Sequence, residues 1–178
     1  MRLLLSLGEV EATFMRIIGI DPGTYHMGIG VVDADGADCT YVYSKVVSPT
    51  KNSPMSQRLR YLYHAVSDVV SRWNPDELAV EEPFAARNVK SAMAIGHAQA
   101  VVMLVAAENE MPVLTYAPTQ IKQAVTDYGG SSKEQVQEMV RIFLGEDAEY
   151  ETSDESDALA VAICHASSNI ISQLVIKE

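Results

Sequence analysis

Four acidic residues, at three widely separated places in the sequence, stand at the starts or ends of apolar segments. Asp21 follows the apolar run 17–20, Glu81 ends a second run, and Asp154 and Asp157 open a helical pattern. Carboxylates brought together repel one another, and a divalent cation removes that conflict. Their hard oxygens suit Mg²⁺ or Mn²⁺. The pattern therefore predicts a two-metal site for phosphodiester hydrolysis, in which one ion activates the attacking water and the second stabilises the leaving oxygen.

Each acid also has an ordinary explanation when it is taken alone. Asp157 by itself fits a helix cap or a solvated surface acid. The sequence from Asp21 to Thr24, Asp-Pro-Gly-Thr, fits a tight turn equally well. The interpretation as a metal site depends on the combination, in which three apolar elements each deliver acids at one end.

The hydrophobic pattern predicts the elements that position these acids. Three strands with short links form an antiparallel meander, and helices then alternate with two further strands. The predicted strands are 17–20, 27–32, 40–47, 78–81 and 113–116. Five helices are predicted: one that ends at Trp73, one over about 91–110, one over 119–125, one that begins after Ser131 and Ser132, and one that opens at Asp154 or Ser156. This order predicts one α/β domain with a mixed five-stranded sheet flanked by helices.

Length and composition favour a single globular domain. A chain of 178 residues is about one domain, which we expect over 15–178, with 1–14 as a loose N-terminal extension. Two cysteines are too few for a disulfide framework, so we expect a reducing, cytoplasmic location. No run approaches the roughly 20 apolar residues of a membrane-spanning helix.

The formal net charge of −11 is unusual for a protein that acts on nucleic acid, because such proteins carry a positive surface. Arg87, Lys90, Lys122 and Lys133 stand apart from the acidic clusters in the sequence. We therefore expect a local basic track on an acidic body.

Five ordered motifs resemble the RuvC family of Holliday-junction resolvases. They lie at 18–23 (IGIDPG), 80–84 (VEEPF), 122–125 (KQAV), 133–140 and 154–160 (DESDALA), and the resemblance covers about 15–168. It implies a ribonuclease-H-like fold, a homodimer and Mg²⁺-dependent symmetric nicking of a four-way DNA junction, with two Mg²⁺ ions per site and Mn²⁺ able to substitute. A branch-migration motor complex is a further partner that the resemblance suggests.

The resemblance also assigns roles to individual residues. The family's four metal-binding catalytic acids fall on Asp21, Glu81, Asp154 and Asp157. Glu81 is chosen over Glu82 because the family acid lies three residues before the aromatic residue, here at position 84. The DNA-binding residues that we expect are Phe84, Arg87, Lys122 and Lys133. Phe84 is similar to the aromatic that stacks on a junction base, although a core position fits it equally well from the sequence. The helix around 91–107 is similar to the family's dimer-interface helix.

The chain departs from the family pattern in three places, each of which removes positive charge or adds negative charge. Gln99 stands where a basic residue is usual, Asp127 stands where glycine is frequent, and the basic C-terminal tail of many relatives is missing from a sequence that ends in Glu178. These departures leave the four acids intact and affect the expected contacts with phosphates.

Two other classes of function remain open from the sequence. The loop after Asp21 also resembles the first phosphate loop of actin-like ATPases and sugar kinases, which use two such domains around a nucleotide. A catalytically weak junction-binding protein is the other alternative, suggested by the net charge. The complete set of four acids favours the nuclease.

Overall fold

Strands and helices follow one another in the order that the hydrophobic pattern predicts. The computed structural model describes residues 14–82, 89–145 and 148–175, and the side chains of the last range as far as residue 168. Its elements are β1 Met15–Asp21, β2 Met27–Asp35, β3 Asp38–Val47, α1 Met55–Trp73, β4 Glu77–Glu81, α2 Val89–Glu108, β5 Val113–Tyr116, α3 Pro118–Thr126, α4 Lys133–Leu144 and α5 Ser153–Val175.

The five strands form one mixed sheet in the order β3-β2-β1-β4-β5. The first three pair antiparallel as a meander, whereas β4 is parallel to β1 and β5 is parallel to β4. The predicted mixed five-stranded sheet is therefore confirmed. Because β1 and β4 are parallel neighbours with Ile20 opposite Val80, the residues that follow, Asp21 and Glu81, reach the same edge of the sheet.

The sheet lies between two apolar layers. On one face Ile18 and Ile20 of β1 pack in a core that includes residues of α1 and α2. On the other face Ile17 packs in a core with residues of α3, α4 and α5. A strand covered on both faces is a continuous apolar run, which is why the first strand could be recognised from the sequence.

Helix ends follow the capping chemistry of the sequence. Asn74 adopts a left-handed conformation with φ 46° after α1, and its N–H donates to the carbonyl of Val70, as the predicted stop at 74–75 requires. Ser132 and Gln135 form a capping box at the start of α4.

The start of α5 differs by one residue from the earlier of the two predicted positions. The helix begins at Ser153, because Thr152 and Glu155 cap it. The backbone N–H of Thr152 donates to the Glu155 carboxylate (3.0 Å), and the N–H of Glu155 donates to the Thr152 hydroxyl (3.3 Å). This arrangement leaves the Asp154 and Asp157 side chains free of a capping role.

Glycines in β1 and β2 allow α5 to lie directly against the sheet. A Cβ atom added to Gly28 would lie 2.1 Å from the carbonyl oxygen of Asp154, and one added to Gly19 would lie 2.3 Å from that of Ala158. Both distances are far inside van der Waals contact, so only glycine fits. The N-terminal turns of α5 therefore approach the end of β1 closely.

A buried histidine joins α5 to β4 and β5. His165 is fully buried; its Nδ1 lies 2.8 Å from the Tyr116 hydroxyl and its Nε2 lies 2.6 Å from the Glu77 carboxylate. Burial lowers the pKa of His165, against the effect of Glu77, so the neutral ring is favoured. A neutral ring satisfies both partners by donating from Nε2 and accepting at Nδ1.

Helix α2 is more apolar than the other helices on the surface. By length and composition alone it would suffice to cross a membrane, although no such span is expected from the sequence. One helix of this length and composition is weak evidence for a membrane span, because the core helices of soluble proteins can be equally long and apolar.

We expect Gly28→Ala to destabilise the protein by about 1–3 kcal/mol, the usual cost of forcing extra volume into a packed interior. The added methyl would collide with the backbone of Asp154 at the start of α5. Urea unfolding followed by circular dichroism measures the change. Glu138→Ala is the control, since Glu138 is exposed on α4, and it should leave the stability within about 0.5 kcal/mol of wild type. Equal stability of wild type and Gly28→Ala would contradict the close approach of α5.

Candidate active site

Three carboxylates converge where β1 ends and α5 begins. Asp21, Asp154 and Asp157 each place one oxygen within 4.8 Å of the others. The two acids of α5 are three residues apart and so share one face of the helix. Glu81, at the end of the adjacent β4, is close enough to Asp21 for a hydrogen bond between the two carboxyl groups. The structure therefore brings the four predicted acids together.

Burial and mutual repulsion make two of these acids weak. Desolvation, followed by the charges of Asp157 and Asp154, raises the pKa of Asp21 to about 6. Desolvation, followed by the charge of Asp21, raises the pKa of Glu81 to about 7. Near neutral pH this pair holds a proton that ordinary carboxylates would have released, so a cation that binds here competes with that proton.

Lys133 supplies positive charge within the cluster. Its Nζ lies 2.6 Å from Oδ2 of Asp157. Partial burial lowers the pKa of Lys133, but the hydrogen bond and charge of Asp157 outweigh that effect and raise it. For Asp157 desolvation outweighs the lysine, so the pKa of this carboxyl is raised as well. The capping box of α4 fixes the backbone from which Lys133 projects, and the ammonium is held against the acids.

A cleft of about 240 Å³ opens beside the acids. Glu81, Asp157, Lys133 and Lys122 provide its charged groups. The Lys122 ammonium donates to the carbonyl oxygen of Ser131 at 2.7 Å, which fixes it at the cleft. Both predicted lysines therefore lie beside the acids, whereas the predicted DNA-binding residues Phe84 and Arg87 lie outside the described residues.

One departure from the family pattern has a visible backbone context. Asp127 follows α3 in a left-handed conformation with φ 58°, and its N–H donates to the carbonyl of Gln123. Glycine suits such a position best, and aspartate is among the residues that tolerate it. The substitution therefore preserves the end of α3 while it adds a negative charge.

An arginine that the sequence analysis did not single out lies behind the turn that follows Asp21. Arg58 of α1 is only 7% exposed, and its guanidinium carbon is 4.1 Å from the ring centroid of Tyr25. Its Nε and Nη1 have no hydrogen-bond partner among the described residues. The cation–π contact holds the 22–26 turn against α1. Its only trace in the sequence is a charged residue on the apolar face of a helix.

The oxygen-only donor set fits a hard divalent cation. Mg²⁺ binds oxygen at about 2.0–2.1 Å, so two ligands of one ion lie at most about 4.2 Å apart. The separations among Asp21, Asp154 and Asp157, all within 4.8 Å, need only a small contraction to meet this limit. No histidine or cysteine belongs to this cluster, which disfavours softer metals.

The sheet order and the acids at the ends of β1 and β4 and the start of α5 define a ribonuclease-H-like fold with a carboxylate site. The family model for crossover junction endodeoxyribonuclease RuvC matches residues 17–165. The chain belongs to the RuvC family.

Curated relatives and a solved structure match most of the chain. The RuvC protein of Dehalococcoides mccartyi is 48% identical over 163 residues, which are 89% of this chain and 98% of that protein. The RuvC protein of Chloroflexus aggregans is 45% identical over 152 residues, 85% of this chain and 93% of that protein. T. thermophilus RuvC in complex with a Holliday junction substrate superposes with a TM-score of 0.83 at 35% identity, covering 89% of this chain and 96% of that one.

We expect the metal-free protein to lose stability as the pH rises through about 6 and about 7, the pKa values of Asp21 and Glu81. Both values lie above those of the unfolded chain, so the folded state binds more protons in this range and its stability falls with pH. In EDTA near pH 8, Asp21→Asn should therefore be more stable than wild type by roughly 2–3 kcal/mol, since a shift of one pKa unit corresponds to about 1.4 kcal/mol.

The measurement is the free energy of urea unfolding in EDTA across this pH range. Glu138→Gln, which removes an exposed acid of α4, is the matched control and should behave as wild type. The gain in stability of Asp21→Asn over wild type should grow from pH 5 to pH 8, and this difference cancels the opposite contribution of His165, whose lowered pKa makes stability rise with pH. A gain that is absent or does not grow with pH would contradict the repulsion within the cluster.

Proposed function

We propose that this chain is a structure-selective DNA endonuclease that resolves four-way junctions by symmetric, Mg²⁺-dependent hydrolysis of phosphodiesters in recombination and repair. The observation that carries the proposal is the convergence of Asp21, Asp154 and Asp157 within 4.8 Å. Membership of the RuvC family and the likeness to a relative bound to a Holliday junction support it.

In this proposal Asp21, Glu81, Asp154 and Asp157 are the catalytic residues and hold two Mg²⁺ ions, for which Mn²⁺ can substitute. Bound Mg²⁺ supplies a lowered pKa for the attacking water and neutralises charge at the scissile phosphate and leaving oxygen. The raised pKa values of Asp21 and Glu81 support a site prepared for cations, because unpaired carboxylates here are costly.

The two lysines at the cleft stabilise the negative charge of the reacting phosphate. Lys133 is already within the acidic cluster, and Lys122 faces the same cleft from α3. An ammonium group that is already in position where negative charge develops stabilises the transition state, and the protein does not have to rearrange during the reaction. We propose that Phe84 and Arg87 contact the junction near this site.

We also propose a homodimer that uses α2 as its interface. Val89, Met93 and Leu104 lie along one side of α2 at helical spacing and are 71%, 59% and 51% exposed. Large apolar side chains clustered on the surface mark interaction sites. A two-fold dimer supplies two acidic sites, as symmetric nicking of two like strands requires. The protein would act in the cytoplasm, where a branch-migration motor complex is a candidate partner.

The alternatives of the sequence analysis are less well supported. The curated relatives described above are named as endonucleases, so an ATPase or sugar-kinase function is not favoured. A protein that only binds junctions gains nothing from clustered carboxylates, which repel the phosphates that it must hold.

We expect wild-type protein with Mg²⁺ to make symmetric nicks in a synthetic mobile four-way junction. Asp21→Asn should lower the single-turnover rate by more than about 100-fold, which exceeds the usual 10–100-fold effect of losing an outer-shell partner of a metal ligand. Glu82→Gln is the matched control, because Glu82 neighbours Glu81 but accepts a hydrogen bond from Thr115 and should remain active. Denaturing gels of end-labelled junctions give the rates. Absence of cleavage by wild type across junction sequences and salt concentrations would refute the function.

We expect Leu104→Glu to convert a dimer into monomers, because it buries a charge in the proposed interface. Sedimentation equilibrium gives the mass. Ile142→Glu is the control, since Ile142 of α4 is 66% exposed and outside the proposed interface. A Leu104→Glu protein that stays dimeric, or a wild-type monomer at micromolar concentration, would contradict this interface.

A further inference from the structure

A groove of about 550 Å³ lies between β3, which is an edge strand, and α1. Among the residues that the structure describes, none lines both this groove and the cleft beside the acids. Its α1 wall is formed by residues at helical spacing, among them Arg60, His64, Asp68 and Arg72, and Lys45 of β3 faces them. From Arg60 to Arg72 the helix rises about 18 Å, at 1.5 Å per residue. The groove is therefore an elongated surface channel.

Positive charge is concentrated in this groove. Three of the ten lysines and arginines in the described residues line it, namely Lys45, Arg60 and Arg72, against one acid, Asp68. Within the part of the chain that the structure describes, none of the three forms an ion pair. Unpaired cations gathered on a chain of net charge −11 favour an external anion over an internal partner.

Aromatic rings accompany these cations. Tyr43 and Trp73 pack together with ring centroids 5.3 Å apart, and Arg72 lies 5.3 Å from the Trp73 centroid. Tyr61 at the groove is 52% exposed. A tyrosine hydroxyl is among the groups that donate to phosphate oxygens in protein–DNA interfaces, so the exposed Tyr61 can add to the contacts that the cations supply.

The groove also lies near the acidic site. Lys45 pairs with Ile29, and Ile29 pairs with Ile20, the residue before Asp21. Two strand spacings of about 4.8 Å separate Lys45 from Ile20, so the groove begins about 10 Å across the sheet from the end of β1. Both residues face the α1 side of the sheet, whereas α5 packs on the opposite side, so a DNA arm reaches the groove by passing around the sheet edge where Asp21 lies. DNA has one phosphate per strand for every 3.4 Å of helix axis, so a channel of about 18 Å matches roughly five phosphates.

We propose that the β3–α1 groove binds the phosphodiester backbone of a junction arm as it leaves the active site, with Lys45 and Arg60 as its principal phosphate contacts. This inference rests on the proposed function, since it assigns a second contact surface for the same DNA. It also gives a chain of net charge −11 a local positive surface. In this proposal the groove sets the affinity for junction DNA and the direction of the bound arm, whereas the acids and lysines of the cleft carry out the hydrolysis.

The test compares wild type with the double variant Lys45→Gln/Arg60→Gln in EDTA, by fluorescence anisotropy of a labelled four-way junction over a range of salt concentrations. Each lost phosphate contact lowers the slope of log K against log salt by about 0.9, so the double variant should lose about 2 units of slope and roughly tenfold in affinity at moderate salt. Its single-turnover cleavage at saturating protein should stay within about twofold of wild type, because neither residue touches the acidic site.

Two controls make the result specific. Arg141→Gln removes one positive charge from α4, away from the groove, and should leave the slope unchanged. A junction whose arms are too short to reach the groove should bind wild type and the double variant equally.

Equal slopes and affinities for wild type and double variant on long arms would overturn the inference. Failure of wild type to bind any junction would instead refute the proposed function. Tight binding of a free mononucleotide, lost in the double variant, would assign the groove to a small ligand and also overturn the inference.

Discussion

The backbone-to-backbone contact between α5 and the sheet is the constraint on which the site depends. At Gly28 and Gly19 a single methyl group would collide with the carbonyl oxygens of the first turns of α5. Because the helix approaches so closely, acids on its first two turns reach the acid at the end of β1. A larger residue at Gly19 or Gly28 would force α5 away from the sheet, and Asp154 and Asp157 would then lie farther from Asp21. Packing in the core therefore sets the spacing of carboxylates at the surface.

Electrostatics acts against this geometry in the metal-free protein. Desolvation and mutual repulsion raise the pKa values of Asp21 and Glu81, and Lys133 neutralises only one charge of the cluster. The remaining repulsion stores free energy that a bound cation releases, so binding of a metal and stability are linked. The same protein that carries this concentrated negative charge must hold a polyanion. Positive charge is placed locally, at Lys122 and Lys133 in the cleft and in the β3–α1 groove. A chain of net charge −11 can therefore still offer cations to phosphates at these two places.

Much of this arrangement can be predicted from the sequence, for identifiable reasons. Asp21 and Glu81 end buried apolar runs, and parallel neighbours deliver their ends to one edge of a sheet. Asp154 and Asp157 share a helix face through their spacing alone. The capping box at 132–135 likewise predicts the start of α4. Local periodicity and capping chemistry were sufficient for these features.

Other features depend on contacts between elements that are distant in the sequence. The ion pair of Lys133 with Asp157 depends on how α4 packs against α5, and no local pattern encodes that contact. The start of α5 differs by one residue from the earlier of the predicted positions, because Thr152 and Glu155 form the cap in a run of polar residues that offers several candidates. The cation–π contact of Arg58 and the groove beside β3 arise only when α1 folds over the sheet. The roles of Phe84 and Arg87 stay predictions.

The most direct measurement is the position of a bound metal. Anomalous diffraction from crystals soaked in Mn²⁺ locates the ion independently of any assay of activity. The account predicts a peak within about 2.0–2.5 Å of oxygens from Asp21 and from at least one acid of α5, the distances at which hard cations bind carboxylates. A peak that contacts other residues, or no peak here at millimolar Mn²⁺, would contradict the claim that the contact of α5 with the sheet builds a metal site.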